Sequence, residues 1–115
     1  MKIEDLYGKN QISEPIIIDF YVDDFDQDAL FVTLKVRTNY VFRSKVRNHC
    51  DKLTYSWTIF GSTSTNQTGE KAFVRFDAPG TYNVMLTVTS RHLPGMGSCI
   101  ADGSKTKQEY ARVVE

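Results

Sequence analysis

Four residues of this chain carry side chains suited to binding a transition metal: His49, Cys50, His92 and Cys99. Two cysteines and two histidines match a structural zinc set in composition. Their spacing does not, because neighbours such as His49 and Cys50 seldom both reach one tetrahedral centre. Asp24, Asp26 and Asp28 begin like a calcium loop of the D-x-D-x-D kind. The sixth position needs glycine and holds Ala29, and the twelfth needs glutamate and holds Lys35. An EF-hand is therefore excluded, leaving a looser calcium site or a solvated acidic turn. Serines are plentiful, yet no Ser-His-Asp set can be assembled, and neither histidine lies near a G-x-S-x-G elbow. No glycine-rich loop precedes a helix, so no phosphate cradle is expected. These residues give no reason to expect catalysis, a resident metal or a cofactor. A small metal-dependent enzyme or sensor built on His49, Cys50, His92 and Cys99 is the least favoured alternative.

The elements around those residues read as strands. Ile16-Ile17-Ile18 centres a first strand over Glu14–Val22, and Asp23–Asp28 is an acidic turn. Leu30, Val32, Leu34 and Val36 alternate with polar neighbours, a period of two that indicates one buried strand face. Tyr40 and Phe42 extend the pattern after a kink at Thr38-Asn39. Ser44–Lys52 is polar and basic and reads as a loop. Leu53–Phe60 places Tyr55, Trp57 and Ile59 on one face, and Gly61–Gly69 is a loop by composition. A short strand over Ala72–Phe76 leads to a turn at Pro79-Gly80. The clearest alternation follows, with Tyr82, Val84, Leu86 and Val88 facing inward. Arg91–Ser104 contains Pro94, Gly95, Gly97 and Gly103 and reads as a long loop before a last strand over Lys105–Val114. About seven short strands with no helix between them predict an antiparallel β-sandwich. The expected organisation is an N-terminal arm, residues 1–13, and one sandwich domain, residues 14–115.

The chain has 115 residues and equal numbers of basic and acidic side chains, 14 of each. A net charge of zero argues against nucleic acid as the main partner, since displacing counterions needs excess Lys and Arg. The longest apolar run, Ile16–Ile18, is far too short to span a membrane. Met1 is followed by Lys2-Ile3-Glu4-Asp5, with no apolar segment of a secretory signal. The zero is also an average. Residues 1–28 hold eight acids against two bases, and residues 29–52 hold six bases against one acid.

Tyr55-Ser56-Trp57-Thr58-Ile59-Phe60-Gly61, then Phe76, then Pro79-Gly80-Thr81-Tyr82-Asn83-Val84-Met85-Leu86-Thr87-Val88 resembles the core of a PKD-type (polycystic kidney disease) domain. The resemblance implies an immunoglobulin-like sandwich with Trp57 in mid-core and the Tyr82 hydroxyl capping a corner. Two features depart from the family pattern: Ile59 is an extra residue between Trp57 and Phe60, and Ser62-Thr63 replaces the usual Asp-Gly. Such domains serve as spacers and contact modules, and some bind calcium near their first strands. In that fold the loops carrying Cys50 and Cys99 share one end, so a bridge between them is topologically allowed. The missing signal favours a reducing compartment and two free thiols.

Function is then expected to lie in contact surfaces. The basic run Arg43, Lys45 and Arg47 faces an acidic counterpart on another copy or another subunit. Leu93, Met96 and Ile100 stand on a glycine-rich loop, and Ile3, Leu6 and Tyr7 on the arm. The expected role is a structural protein with protein partners and a homo-oligomer among the options. A phage virion component, decorating a capsid or belonging to a tail, is the leading setting. An extracellular or cell-surface module binding protein or carbohydrate is the alternative.

Overall fold

A computed structural model describes residues 16–47, 50, 52–91 and 100–115. Eight strands run through them: β1 (Ile17–Val22), β2 (Val32–Lys35), β3 (Asn39–Arg47), β4 (Lys52–Ile59), β5 (Asn66–Thr68), β6 (Lys71–Arg75), β7 (Gly80–Arg91) and β8 (Ile100–Val114). One sheet has the order β1-β3-β6, and the other has β2-β8-β7-β4-β5. The two pack face to face, and the described residues contain no helix. The all-β sandwich expected from the alternation is therefore present.

The chain changes sheets between β1 and β2. The acidic turn drives this change. Phe25 N–H donates to the Val22 carbonyl, and Ala29 N–H to the Asp26 carbonyl. Asp28 N–H donates to the Asp26 carboxylate at 2.9 Å, an Asx-type turn. Asp24 takes a φ of 73°, which a short polar side chain tolerates. The chain then pairs as β2 parallel to the end of β8, Val32 beside Ala111 and Leu34 beside Val113. Every other neighbouring pair is antiparallel.

The core forms where the sheets meet. Phe20 and Phe42 from the three-stranded sheet meet Trp57 and Tyr110 from the five-stranded sheet, edge to face, with centroids 5.5 to 6.4 Å apart. Such pairs add about 0.5–1.5 kcal/mol each beyond burial. Trp57, Val84, Leu86 and Val88 are fully buried, as the alternation required. The Trp57 indole N–H donates to the Gly69 carbonyl at 2.8 Å, so its polar edge is satisfied. Tyr82 is only half-buried. Its ring stacks on Phe76 at 4.9 Å, and its hydroxyl donates to the Ala78 carbonyl at 2.8 Å. Gly61 has a φ of +83° and lies against that ring, leaving no room for a Cβ.

Five sequence expectations are corrected. Leu30 is 87% exposed, because β2 starts only at Val32, after the turn has carried the chain across the edge. Tyr40 and Phe42 do not extend β2. Arg37, at a φ of 56°, reverses the chain into a separate strand of the other sheet. Ser44–Arg47 is strand, not loop. Ser44 and Val46 face the interior while Arg43, Lys45 and Arg47 face out, so the outward set gave the segment its polar look. The final strand begins at Ile100, not Lys105. Gly103 sits inside it because Ile16 and Ile18 pack where its Cβ would be, at 3.2 and 3.1 Å. A short strand, β5, also lies inside the Ser/Thr-rich segment read as a loop.

Candidate functional site

The outward face of the three-stranded sheet collects the most charge. Register places Tyr21, Arg43 and Lys71 in one row across β1, β3 and β6, and Val41 and Phe73 in the next. Lys71, Phe73 and Arg75 alternate with buried Ala72 and Val74, so all three project outward. Phe73 is 67% exposed between two cations. It borders a shallow cleft of about 400 Å³ whose walls include Asn39, Val41, Thr63 and Arg75.

Local ion pairs fix the geometry of this face. Arg43 grips Asp23 with two parallel hydrogen bonds, 2.7 and 2.8 Å. Those bonds hold the Asp23 carboxyl below its ordinary range and push the Arg43 guanidinium further up. Arg75 pairs with Asp77 at 2.9 Å, and the Lys45 ammonium donates to Gln27 Oε1 at 3.1 Å. Arg47 and Lys71 make no ion pair among the described residues. The interface candidates Arg43, Lys45 and Arg47 thus share one face, but only Arg47 of the three has no side-chain partner there.

A second surface lies at the β1 edge of the three-stranded sheet, opposite β6, where β1 faces β8. The turn carrying Asp24, Asp26 and Asp28 borders a groove of about 350 Å³ with Asp19, Lys105 and Lys107. Leu30 stands at its rim. Below it, the Lys107 ammonium pairs with Asp19 at 2.9 Å and donates to the Phe20 carbonyl at 2.6 Å. It also lies over the Phe20 and Tyr110 rings at 4.7 and 4.8 Å. Partial burial opposes the Asp19 charge, but Lys107 and the Phe20 N–H outweigh it and hold the carboxyl below its usual range. Burial pushes the Tyr110 phenol up to about 12, reinforced by the Asp19 charge. The Tyr110 hydroxyl has no well-formed hydrogen bond, although the Val22 backbone is close enough to favour its anion slightly.

The metal candidates that lie among the described residues do not assemble. Among the described residues no group of three or more His, Cys, Asp or Glu side chains converges as a metal site, and this includes Asp24, Asp26 and Asp28. Cys50 is buried, and its N–H donates to the Ser90 hydroxyl at 2.6 Å. It is disulfide-bonded, which overturns the expectation of a free thiol and removes Cys50 as a thiolate ligand for zinc. The chain's other cysteine, Cys99, lies outside the described residues with His49 and His92. Ile3, Leu6, Tyr7, Leu93 and Met96 lie outside them as well. Ile100 is 70% exposed at the start of β8, near the Arg91–Asp102 ion pair at 2.6 Å.

Sequence reading missed Phe73 and Leu30. Phe73 was legible in principle: in Lys71-Ala72-Phe73-Val74-Arg75, strict alternation groups the phenylalanine with the two cations. Leu30 had no such signal, being in phase with Val32 and Leu34. No family model matches the chain, and no curated protein matches it.

Proposed function

We propose that this chain is a non-enzymatic structural module of immunoglobulin/PKD type that works by protein–protein contact. The observation that carries the reading is Phe73, two-thirds exposed on the outward sheet face between Lys71 and Arg75. A large apolar side chain held between cations on a flat strand surface suits a protein interface. The fold assignment is supported by the switch from β1 to β2 across sheets, by Trp57 between the sheets, and by the Tyr82 hydroxyl on the Ala78 turn. The leading setting is a virion, as a capsid decoration or tail component made of repeated subunits.

A second reading is favoured by one observation, the disulfide-bonded Cys50. Disulfides persist in oxidising settings. An extracellular or cell-surface module binding protein or carbohydrate would meet that condition, as would a particle outside its host.

Sedimentation of lysates containing the full chain tests the leading setting. Recovery of the protein with a particle at a fixed ratio supports it. A protein that stays in the soluble fraction while particles pellet contradicts it.

A further inference from the structure

Leu30 and Phe73 are exposed large apolar residues toward opposite edges of the three-stranded sheet: Leu30 follows the acidic turn, in a groove that also holds Lys105 and Lys107, and Phe73 stands beside Lys71 and the Arg75–Asp77 ion pair. Leu30 is 87% exposed and follows Asp24, Asp26 and Asp28, which form no ion pair among the described residues. Phe73 is flanked by Lys71 and Arg75 beside a cleft wide enough for an aliphatic side chain. The acidic turn leaves the β1 edge of the three-stranded sheet, and Phe73 sits on β6, the opposite edge. One chain cannot bring the two together.

We infer that copies of this chain associate head to tail, the Leu30 turn of one copy seating on the Phe73 cleft of the next. The inference rests on the interaction-module reading and names its partner, a second copy. Charge complementarity selects that occupant: the carboxylates of Asp24, Asp26 and Asp28 meet Lys71, which like them makes no ion pair among the described residues, and the Arg75–Asp77 pair beside it, with an apolar contact at the centre. Charges arranged in this way steer the encounter and set the register. The contact uses two different patches, so it is heterologous and extends into a filament or closes into a ring, unlike a two-fold dimer.

The neighbouring strand edges do not compete for this role. Lys107, pointing inward from β8, occupies the gap beside β1, and the Gln67 side chain closes the outer edge of β6. Both devices discourage edge-to-edge pairing. The contact is therefore one of side chains and not of added strands.

Two variants, Leu30→Glu and Phe73→Glu, test the inference. Both positions are exposed, and unchanged thermal melts will establish that each variant folds. Each variant alone should lose association at least tenfold relative to wild type in sedimentation velocity. Mixed one to one, they should form a dimer and nothing larger, because one retains the cleft and the other the turn. A mixture that stays monomeric, or a single variant that still forms long species, overturns the inference. Charge reversal supplies an independent pair: Asp26→Lys/Asp28→Lys and Lys71→Glu/Arg75→Glu should each associate weakly alone and recover when combined in one chain. Failure to recover there also counts against it. If wild type is monomeric but still pellets with a particle, the self-association fails and the interaction-module reading stands.

Discussion

The Gln67 side chain hydrogen-bonds both backbone groups of Phe73. Phe73 N–H donates to Gln67 Oε1 at 2.8 Å, and Gln67 Nε2 donates to the Phe73 carbonyl at 2.6 Å. A primary amide here does what a further strand would do, and it ties β5 of one sheet to β6 of the other. The same bond holds the most exposed aromatic of the charged face in place. Gln67→Ala should therefore destabilise the fold by about 1–2 kcal/mol, the cost of two uncapped backbone groups. Amide exchange at Phe73 should accelerate selectively, which NMR will resolve. Exchange unchanged at Phe73 would contradict the edge-closing role.

Gly61 and Tyr82 form a second dependent pair. A Cβ on Gly61 would lie 2.2 Å from the Tyr82 ring, and its φ of +83° already disfavours other residues. Gly61→Ala should cost about 2–4 kcal/mol in chemical denaturation, combining overpacking with backbone strain. Tyr82→Phe keeps the stack on Phe76 and loses the hydroxyl's bond to Ala78 and its longer one to Pro79, so about 1 kcal/mol is expected. Equal losses from both variants would show that the ring is not confined as described.

Tyr110 gives a prediction of opposite sign. Its hydroxyl is wholly buried without a well-formed hydrogen bond. Removing a polar group in that position relieves a desolvation cost, so Tyr110→Phe should be neutral or stabilising by up to about 1 kcal/mol. The wild-type phenol, raised from 10.0 to about 12, stays protonated in the fold while the unfolded chain ionises. That contribution is intact below pH 10 and is lost as pH rises from there through about 12. Melts of wild type should weaken across that window, and Tyr110→Phe should remove this share of the decline.

At acid pH the carboxylates control stability. Asp19, Asp23 and Asp102 all titrate below the ordinary 3.8 in the fold, through Lys107, Arg43 and Arg91 respectively. Their folded values are depressed, so their contribution is present above 3.8 and is lost as pH falls through the folded values. Thermal stability should be flat near neutrality and fall below about pH 4. In Lys107→Met, carboxyl NMR should find the Asp19 titration moved upward, with Asp23 and Asp102 unmoved. An unmoved Asp19 would mean that Lys107 is not its main partner.

Much of the sandwich was legible because its interior obeys strict alternation. Trp57, Val84, Leu86 and Val88 lie where a period of two places them, and the Tyr82 corner forms on the turn that Pro79-Gly80 suggested. Three kinds of residue misled. Arg43, Lys45 and Arg47 made a strand look like a loop, because a wholly cationic outward face hides the inward Phe42, Ser44 and Val46. Gly103 looked like a chain breaker and instead admits Ile16 and Ile18. Leu30 looked like core because periodicity cannot show where an Asx turn diverts the chain. The contact surfaces were less legible than the core. Exposure of Phe73 depends on β6 being an edge strand, and pairing order is not written in local pattern.

Sedimentation velocity of the wild-type chain, from micromolar to about millimolar concentration at low and high salt, tests the central claim that this module works through complementary faces. The weight-average sedimentation coefficient should rise continuously with concentration, without a plateau at a dimer, and the rise should weaken as salt screens the facing charges. A chain that stays monomeric throughout, or halts at a salt-insensitive dimer, would contradict it.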